Sequence, residues 1–290
     1  MKKLSILYIV LAGLFWGTSG IFFSFLKPWG FTPVQVTAIR GTVSAVAMCL
    51  YALIRDRSLF RATKKELLIF ICSGLCVFGT ASLYYSAISA STVSTAVVLM
   101  YTAPVFVLIY SVIFLGERLN GKKLFAIAAM IVGCALVSGL FGGAEASAFG
   151  ILLGLGSGIV YSGYNIFTKI EMLHRSNAVS ATLYSFLAMA VAALVVSNPV
   201  EMGKIVLGNP SVIVPMMIAC GICTGVIPYF LYTLSLRDIP AGTATALGIF
   251  EPMFATLFSV LFLNETLSIP SFSGILLILG AAFLLGKSKD

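Results

Sequence analysis

Ten apolar runs follow one another along this chain, each close to the twenty residues an α-helix needs to cross a bilayer. They are Leu4–Leu26, Pro33–Ile54, Leu67–Ile88, Val93–Leu115, Leu124–Leu140, Phe149–Thr168, Ala178–Ser197, Ser211–Leu236, Ala241–Leu263 and Ile269–Gly286. Helix breakers mark the joints, at Lys27-Pro28-Trp29-Gly30, Gly142-Gly143, Asn198-Pro199, Asn209-Pro210 and Ile269-Pro270. The joints near Ser89–Thr92 and Arg237–Pro240 are so short that the helices they connect must be antiparallel neighbours. The expectation is an all-α integral membrane protein with ten transmembrane helices.

Composition closes off the soluble alternative. Charged residues make up 10% of the chain and hydrophobic residues 60%, against about 25% and 45–50% in soluble domains. Mean hydropathy is +1.08. So little charge cannot cover a water-facing surface, and lipid is the expected solvent. The run Leu4–Leu26 follows Met1-Lys2-Lys3 but exceeds the roughly 7–15 apolar residues of a signal peptide, so it reads as a retained span.

The net charge of +8 belongs to the span ends. Of 18 Lys and Arg, fifteen fall on one side of the alternating runs, Lys27 and Lys204 fall on the other, and Arg40 lies within a span. Cationic loops stay cytoplasmic, which predicts both termini inside, in the plasma membrane (the bacterial inner membrane). No aromatic-basic module of a nucleic-acid reader is present, so nucleic acid is not an expected partner.

The sequence also repeats. Ser94-Thr95-Ala96, Pro104 and Leu115-Gly116-Glu117-Arg118-Leu119 recur 148 residues on as Gly242-Thr243-Ala244, Pro252 and Leu263-Asn264-Glu265-Thr266-Leu267. The same offset pairs Tyr84 with Tyr232, and glycine-rich openings recur at Gly13–Gly17 and Gly154–Gly158. Two units are expected, residues 1–142 and 143–290. Each carries five spans, an odd number, so the second must enter the membrane inverted. Inverted repeats underlie alternating access, with the solute site near the midplane between halves.

Glu251 falls about midway along the ninth run, where an ionised carboxylate costs at least about 2.5–3.5 kcal/mol. It suits a proton-coupling group, a counter-charge for a substrate amine, or a structural partner for Arg40 or a freed backbone group. Its counterpart in the repeat is Ala103. Pro104 and Pro252 each remove an intrahelical hydrogen bond, as hinges, cavity shapers or packing features. Arg40 fits a gate or anion contact, or a structural role. Tyr84, Tyr101, Tyr161, Tyr164, Asn165 and Trp16 are candidates for a pocket with apolar walls and a few orienting polar groups, or for ordinary packing. Thr95 and Thr243 fit N-caps. Gly150, Gly154 and Gly158 fit close helix contact. Glu117 and Glu265 fit interface charges.

The five-helix duplication, Trp16-Gly17, Arg40, and Pro104 followed by Gly116-Glu117-Arg118-Leu119 together resemble the EamA-like family of the drug/metabolite transporter superfamily, over essentially the whole chain. The resemblance implies a ten-helix secondary carrier around a central cavity, lined notably by helices 3, 4, 8 and 9. It also implies export of a small polar metabolite such as an amino acid, or of drugs and toxic compounds. A non-transporting membrane sensor is the other reading. Catalysis is not expected: the single histidine, His174, lies in a loop and no aspartate lies within a run. No cofactor and no metal are expected. The six cysteines fall within apolar runs, and Cys220-Gly-Ile-Cys223 lacks a second ligand pair. Expected partners are a small-molecule substrate, protons and membrane lipid, in a monomer or homodimer.

Overall fold

The computed structural model describes residues 2–90, 96, 99–116, 120–137, 147–174, 176–263 and 268–287, and every regular element among them is a helix. In chain order these are α1 (Lys2–Gly17), α2 (Ser19–Leu26), α3 (Pro33–Arg55), α4 (Lys64–Ala90), α5 (Ala103–Leu115), α6 (Gly121–Val137) and α7 (Ala148–Leu173). There follow α8 (Ala178–Val196), α9 (Pro199–Gly208), α10 (Pro210–Gly221), α11 (Ile227–Ser235), α12 (Ala241–Leu247), α13 (Phe250–Leu263) and α14 (Ile269–Lys287).

Local sequence explains the boundaries. Thr32 and Gln35 form a reciprocal capping box ahead of α3, with Pro33 in the first turn, where a missing N–H costs nothing. Ser147 caps α7 by accepting from the Gly150 N–H at 3.0 Å, and its own hydroxyl donates to the Ala90 carbonyl at 2.6 Å. The Asn198–Asn209 joint is more than a breaker: it folds as the ten-residue helix α9, started by Asn198 in a left-handed conformation before Pro199.

Six helical stretches are long and apolar enough to cross a membrane: Lys3–Trp29, Pro33–Arg55, Lys64–Tyr84, Ala148–Leu173, Ala178–Val196 and Pro210–Ser235. This is a multi-pass helical membrane protein, and six of the ten expected runs form full-length spans among the described residues. The fourth and ninth expected runs are interrupted near their middles. The boundary placed at residues 142 and 143, Glu117, Glu265 and Thr95 all lie outside the described residues.

Packing is organised by helix pairs. α4 lies along α7, α3 along α8, α6 along α14, and α1 against α11 and α13. Glycine sets the closest approaches. A Cβ at Gly13 would come 2.9 Å from Phe250 Cβ, and one at Gly17 2.9 Å from Phe254 Cβ, so the glycine face of α1 seats the helix that carries Glu251. Gly154 and Gly158 admit Leu99 and the Leu99 carbonyl in the same way, which fits the close contact expected of that stripe.

Candidate functional site

Two interrupted helices meet at the centre. The chain turns at Tyr101–Thr102 before α5 and at Gly248–Ile249 before α13. Each restart carries its repeat-matched proline, Pro104 or Pro252, in its first turn. A proline in mid-helix leaves the carbonyl four residues earlier without a donor. Here the helix stops and begins again, so the prolines mark breaks rather than the simple kinks the sequence suggests. Within a membrane such breaks are tolerated where protein surrounds them.

Tyr101 and Glu251 stand at these two breaks, and the Tyr101 hydroxyl donates to Glu251 Oε2 at 2.7 Å. Tyr101 is buried, while Glu251 keeps some accessible surface. The carboxylate lies in the first turn of α13, where the positive end of the helix dipole favours it. Arg40 is within electrostatic reach of Glu251, as is Tyr161.

Beside this pair lies an aromatic cluster. Tyr161 and Tyr164 stack at 6.1 Å, Tyr164 meets Tyr232 at 6.1 Å, and Trp16 packs on Tyr229 at 5.1 Å and Tyr232 at 5.5 Å. Asn165 is fully buried; its Nδ2 donates to the Tyr161 carbonyl at 2.6 Å and its Oδ1 accepts from the Tyr232 hydroxyl. Tyr232 also reaches Thr245 at 3.3 Å. Of the expected pocket residues, the structure gathers Trp16, Tyr101, Tyr161, Tyr164, Asn165 and Glu251 into one region. Tyr84 is partly exposed.

Arg40 is bonded to backbone. Its Nη2 donates to the Thr224 carbonyl at 3.0 Å. Residues Ile222–Val226 form a π-helical turn, and Pro228 has no N–H to offer the carbonyl four residues before it, which is Thr224. The guanidinium thus supplies a donor that the helix itself lacks, so a structural role is in place. Arg40→Met should lower stability by about 1–3 kcal/mol, the cost of leaving a buried carbonyl unmet. Adding Pro228→Ala, which restores an amide N–H, should recover part of the loss. Thermal unfolding of the single and double variants in detergent checks this.

Two expectations need correction. Thr243 does not cap: it is buried inside α12, whose N-cap position is Pro240 without a side-chain bond. Lys169, assigned to the loop after the sixth span, is buried within α7 because that helix runs on to Leu173. Its ammonium donates to the carbonyls of Leu236 and Ile239, both at 2.8 Å, and so caps the end of α11. A separate small cleft is lined from α4, α7, α8 and α11. All six cysteines are free thiols.

The EamA-like transporter pattern matches this chain twice, over residues 3–139 and again over 148–287. The chain belongs to the EamA-like transporter family. Relatives share its length. An uncharacterised transporter of Bacillus subtilis (strain 168), YwfM, is 25% identical over 279 residues, covering 94% of this chain and 90% of that one. An uncharacterised transporter of Archaeoglobus fulgidus is 28% identical over 282 residues, covering 95% and 94%. One solved crystal structure of a protein aligns with a TM-score of 0.78 at 20% identity, over 97% of this chain and 95% of that one, a likeness of fold.

Within this EamA-like chain, three contributors escaped the sequence reading as site residues: Tyr229, Tyr232 and Glu171. Tyr229 and Tyr232 are three residues apart on α11, the spacing that puts two side chains on one helix face. Tyr161 and Tyr164 show the same spacing on α7, and matching the two pairs would have exposed the cluster. Glu171 is 2% exposed and lines the cleft with Thr168, Thr182, Ser185 and Thr233. Its neighbours Lys169 and Arg175 disguise it as an interface charge.

Proposed function

We propose that this EamA-like transporter is a secondary-active carrier that moves a small polar metabolite, such as an amino acid, by alternating access. The observation that carries the reading is the Tyr101–Glu251 hydrogen bond, which joins the breaks of two helices at repeat-matched positions. Carriers with inverted repeats place their solute at such discontinuous helices. Ten spans in two inverted halves, residues 1–142 and 143–290, fit this scheme, with both termini cytoplasmic. The contact pattern supports it: exchanging the halves turns the α4–α7 pairing into α11–α1, and leaves α3–α8 and α6–α14 as pairs.

In this reading Glu251 accepts from the ammonium of the solute. The Trp16 indole N–H, buried without an acceptor among the described residues, donates to an anionic or carbonyl group. Pro104 and Pro252 set the breaks, and Arg40 holds the scaffold. Export is the direction the family resemblance implies. A second reading, efflux of lipophilic cations, is favoured by the Tyr101 and Tyr161 rings near the Glu251 carboxylate, a setting suited to cation–π contact.

Counterflow into proteoliposomes, with labelled amino acids in one arm and quaternary amines in the other, tests both. Saturable exchange of the first class supports the metabolite carrier, and exchange of the second alone moves the reading to drug efflux. Impermeant cysteine labelling should find positions near both ends of the chain protected from outside; labelling of one end only would end the two-halves scheme.

A further inference from the structure

We propose that the Glu171 cleft is a binding site for a small monovalent coupling cation, a proton or a sodium ion, separate from the solute site at Glu251. The inference rests on the carrier reading only for its role in transport; the site itself stands on its own geometry.

Glu171 is 2% exposed, and its Oε1 has no hydrogen-bond partner among the described residues. It lines a cleft with Thr168, Thr182, Ser185, Thr233 and Tyr164. The hydroxyl protons of three of these groups are already donated: Thr168 to the Tyr164 carbonyl at 2.9 Å, Thr182 to the Ala178 carbonyl at 2.7 Å, and Ser185 to the Phe70 carbonyl at 3.2 Å. What those oxygens have left is lone pairs. Two donors remain: Ser73 hydrogen-bonds the carboxylate, and the Tyr164 hydroxyl is buried with no partner among the described residues. The carboxylate and the spent hydroxyls present more acceptors than these two can meet, a lining suited to a small cation or a proton.

No cationic side chain among the described residues lines the cleft. Lys169, on the same helix, directs its ammonium to Leu236 and Ile239. From α4 the cleft receives Val77, and Ser73 stands beside the carboxylate. From α8 it receives Ala181, Thr182, Ser185 and Phe186, none of them titratable, and from α11 Tyr229 and Thr233. Tyr164 and Tyr229 are therefore the only other titratable groups facing it among the described residues. An ionised carboxylate buried in this way demands a counter-charge. The free volume of about 10 Å³ holds one water or a small ion, too little for a metabolite.

The test uses purified full-length protein in detergent and needs no transported solute. Infrared difference spectra between about pH 5 and about pH 9 report protonated carboxyl groups. Thermal unfolding in sodium chloride against choline chloride, at equal ionic strength, reports sodium. Wild-type protein should lose a carboxylic-acid band at high pH if the cation is a proton, or gain thermal stability in sodium if it is sodium. Glu171→Gln should remove whichever response appears, and Glu251→Gln should leave it. Glu171→Asp should shift the band rather than delete it, which keeps the assignment testable should the Gln variant fail to fold. Wild-type responses persisting in Glu171→Gln, or absent from wild-type protein, overturn the site. A response that maps to Glu171 in a protein that exchanges no solute would instead overturn the carrier reading alone.

Discussion

Glu251→Gln should lower the apparent affinity for the counterflow solute by about 10- to 100-fold while the protein still purifies as a single folded species. The substitution keeps the shape of the side chain and its ability to accept from Tyr101 at 2.7 Å, and it removes the charge. Hydrogen bonds to a charged group contribute about 1.5–3 kcal/mol, against about 1 kcal/mol for neutral ones. Outside water, where the helix breaks place this group, little screens the difference. Tyr101→Phe should cost less, about tenfold, because the carboxylate remains and only its orienting donor goes. The double variant should lose less than the product of the two, since both act through one bond. Solute-dependent thermal shift on the four proteins measures the cycle. Unchanged affinity in Glu251→Gln would remove Glu251 from the site.

The largest loss of stability should follow Gly74→Val. A Cβ at Gly74 would overlap the Ser185 carbonyl oxygen and meet Ala188 Cβ at 2.8 Å, so α4 and α8 must separate to admit it. Overpacking of this kind costs about 1–3 kcal/mol and sometimes more, and backbone cannot rotate aside as a flexible side chain would. The expected result is a marked fall in Tm, or loss of the monodisperse peak in size-exclusion chromatography. Gly20→Ala is the control. Nothing lies within 4 Å of a Cβ there, so stability should change by no more than about 0.5 kcal/mol. Equal Tm values for the two variants would contradict the tight α4–α8 approach.

What could be read from sequence depended on how unusual each residue was in its surroundings. Glu251 announced itself because a charge in mid-span is conspicuous wherever the helices go. Tyr161, Tyr164 and Asn165 followed from lying within one run. Glu171 did not, because membership of a span is decided by how far α7 continues, and the positive charges at 169 and 175 argued for an earlier stop. The Arg40–Thr224 bond, 184 residues apart in sequence, was likewise hidden: it depends on a π-turn and a proline in the other half of the chain, and only the packing of α3 on α10 and the turn brings them together. The two helix breaks were half visible. Proline showed that the hydrogen-bond ladder was compromised at 104 and 252, whereas the point at which the helix restarts is settled by tertiary neighbours such as the glycine face of α1.

The ammonium of Lys169 grips the chain between α11 and α12 at two carbonyls. A buried cation with those contacts cannot be pulled off without stranding its charge in a poorly solvating interior. The lower third of α7 and the Leu236–Ile239 elbow therefore behave as a single rigid lever. Any gate at that end of the molecule has to swing on some other joint.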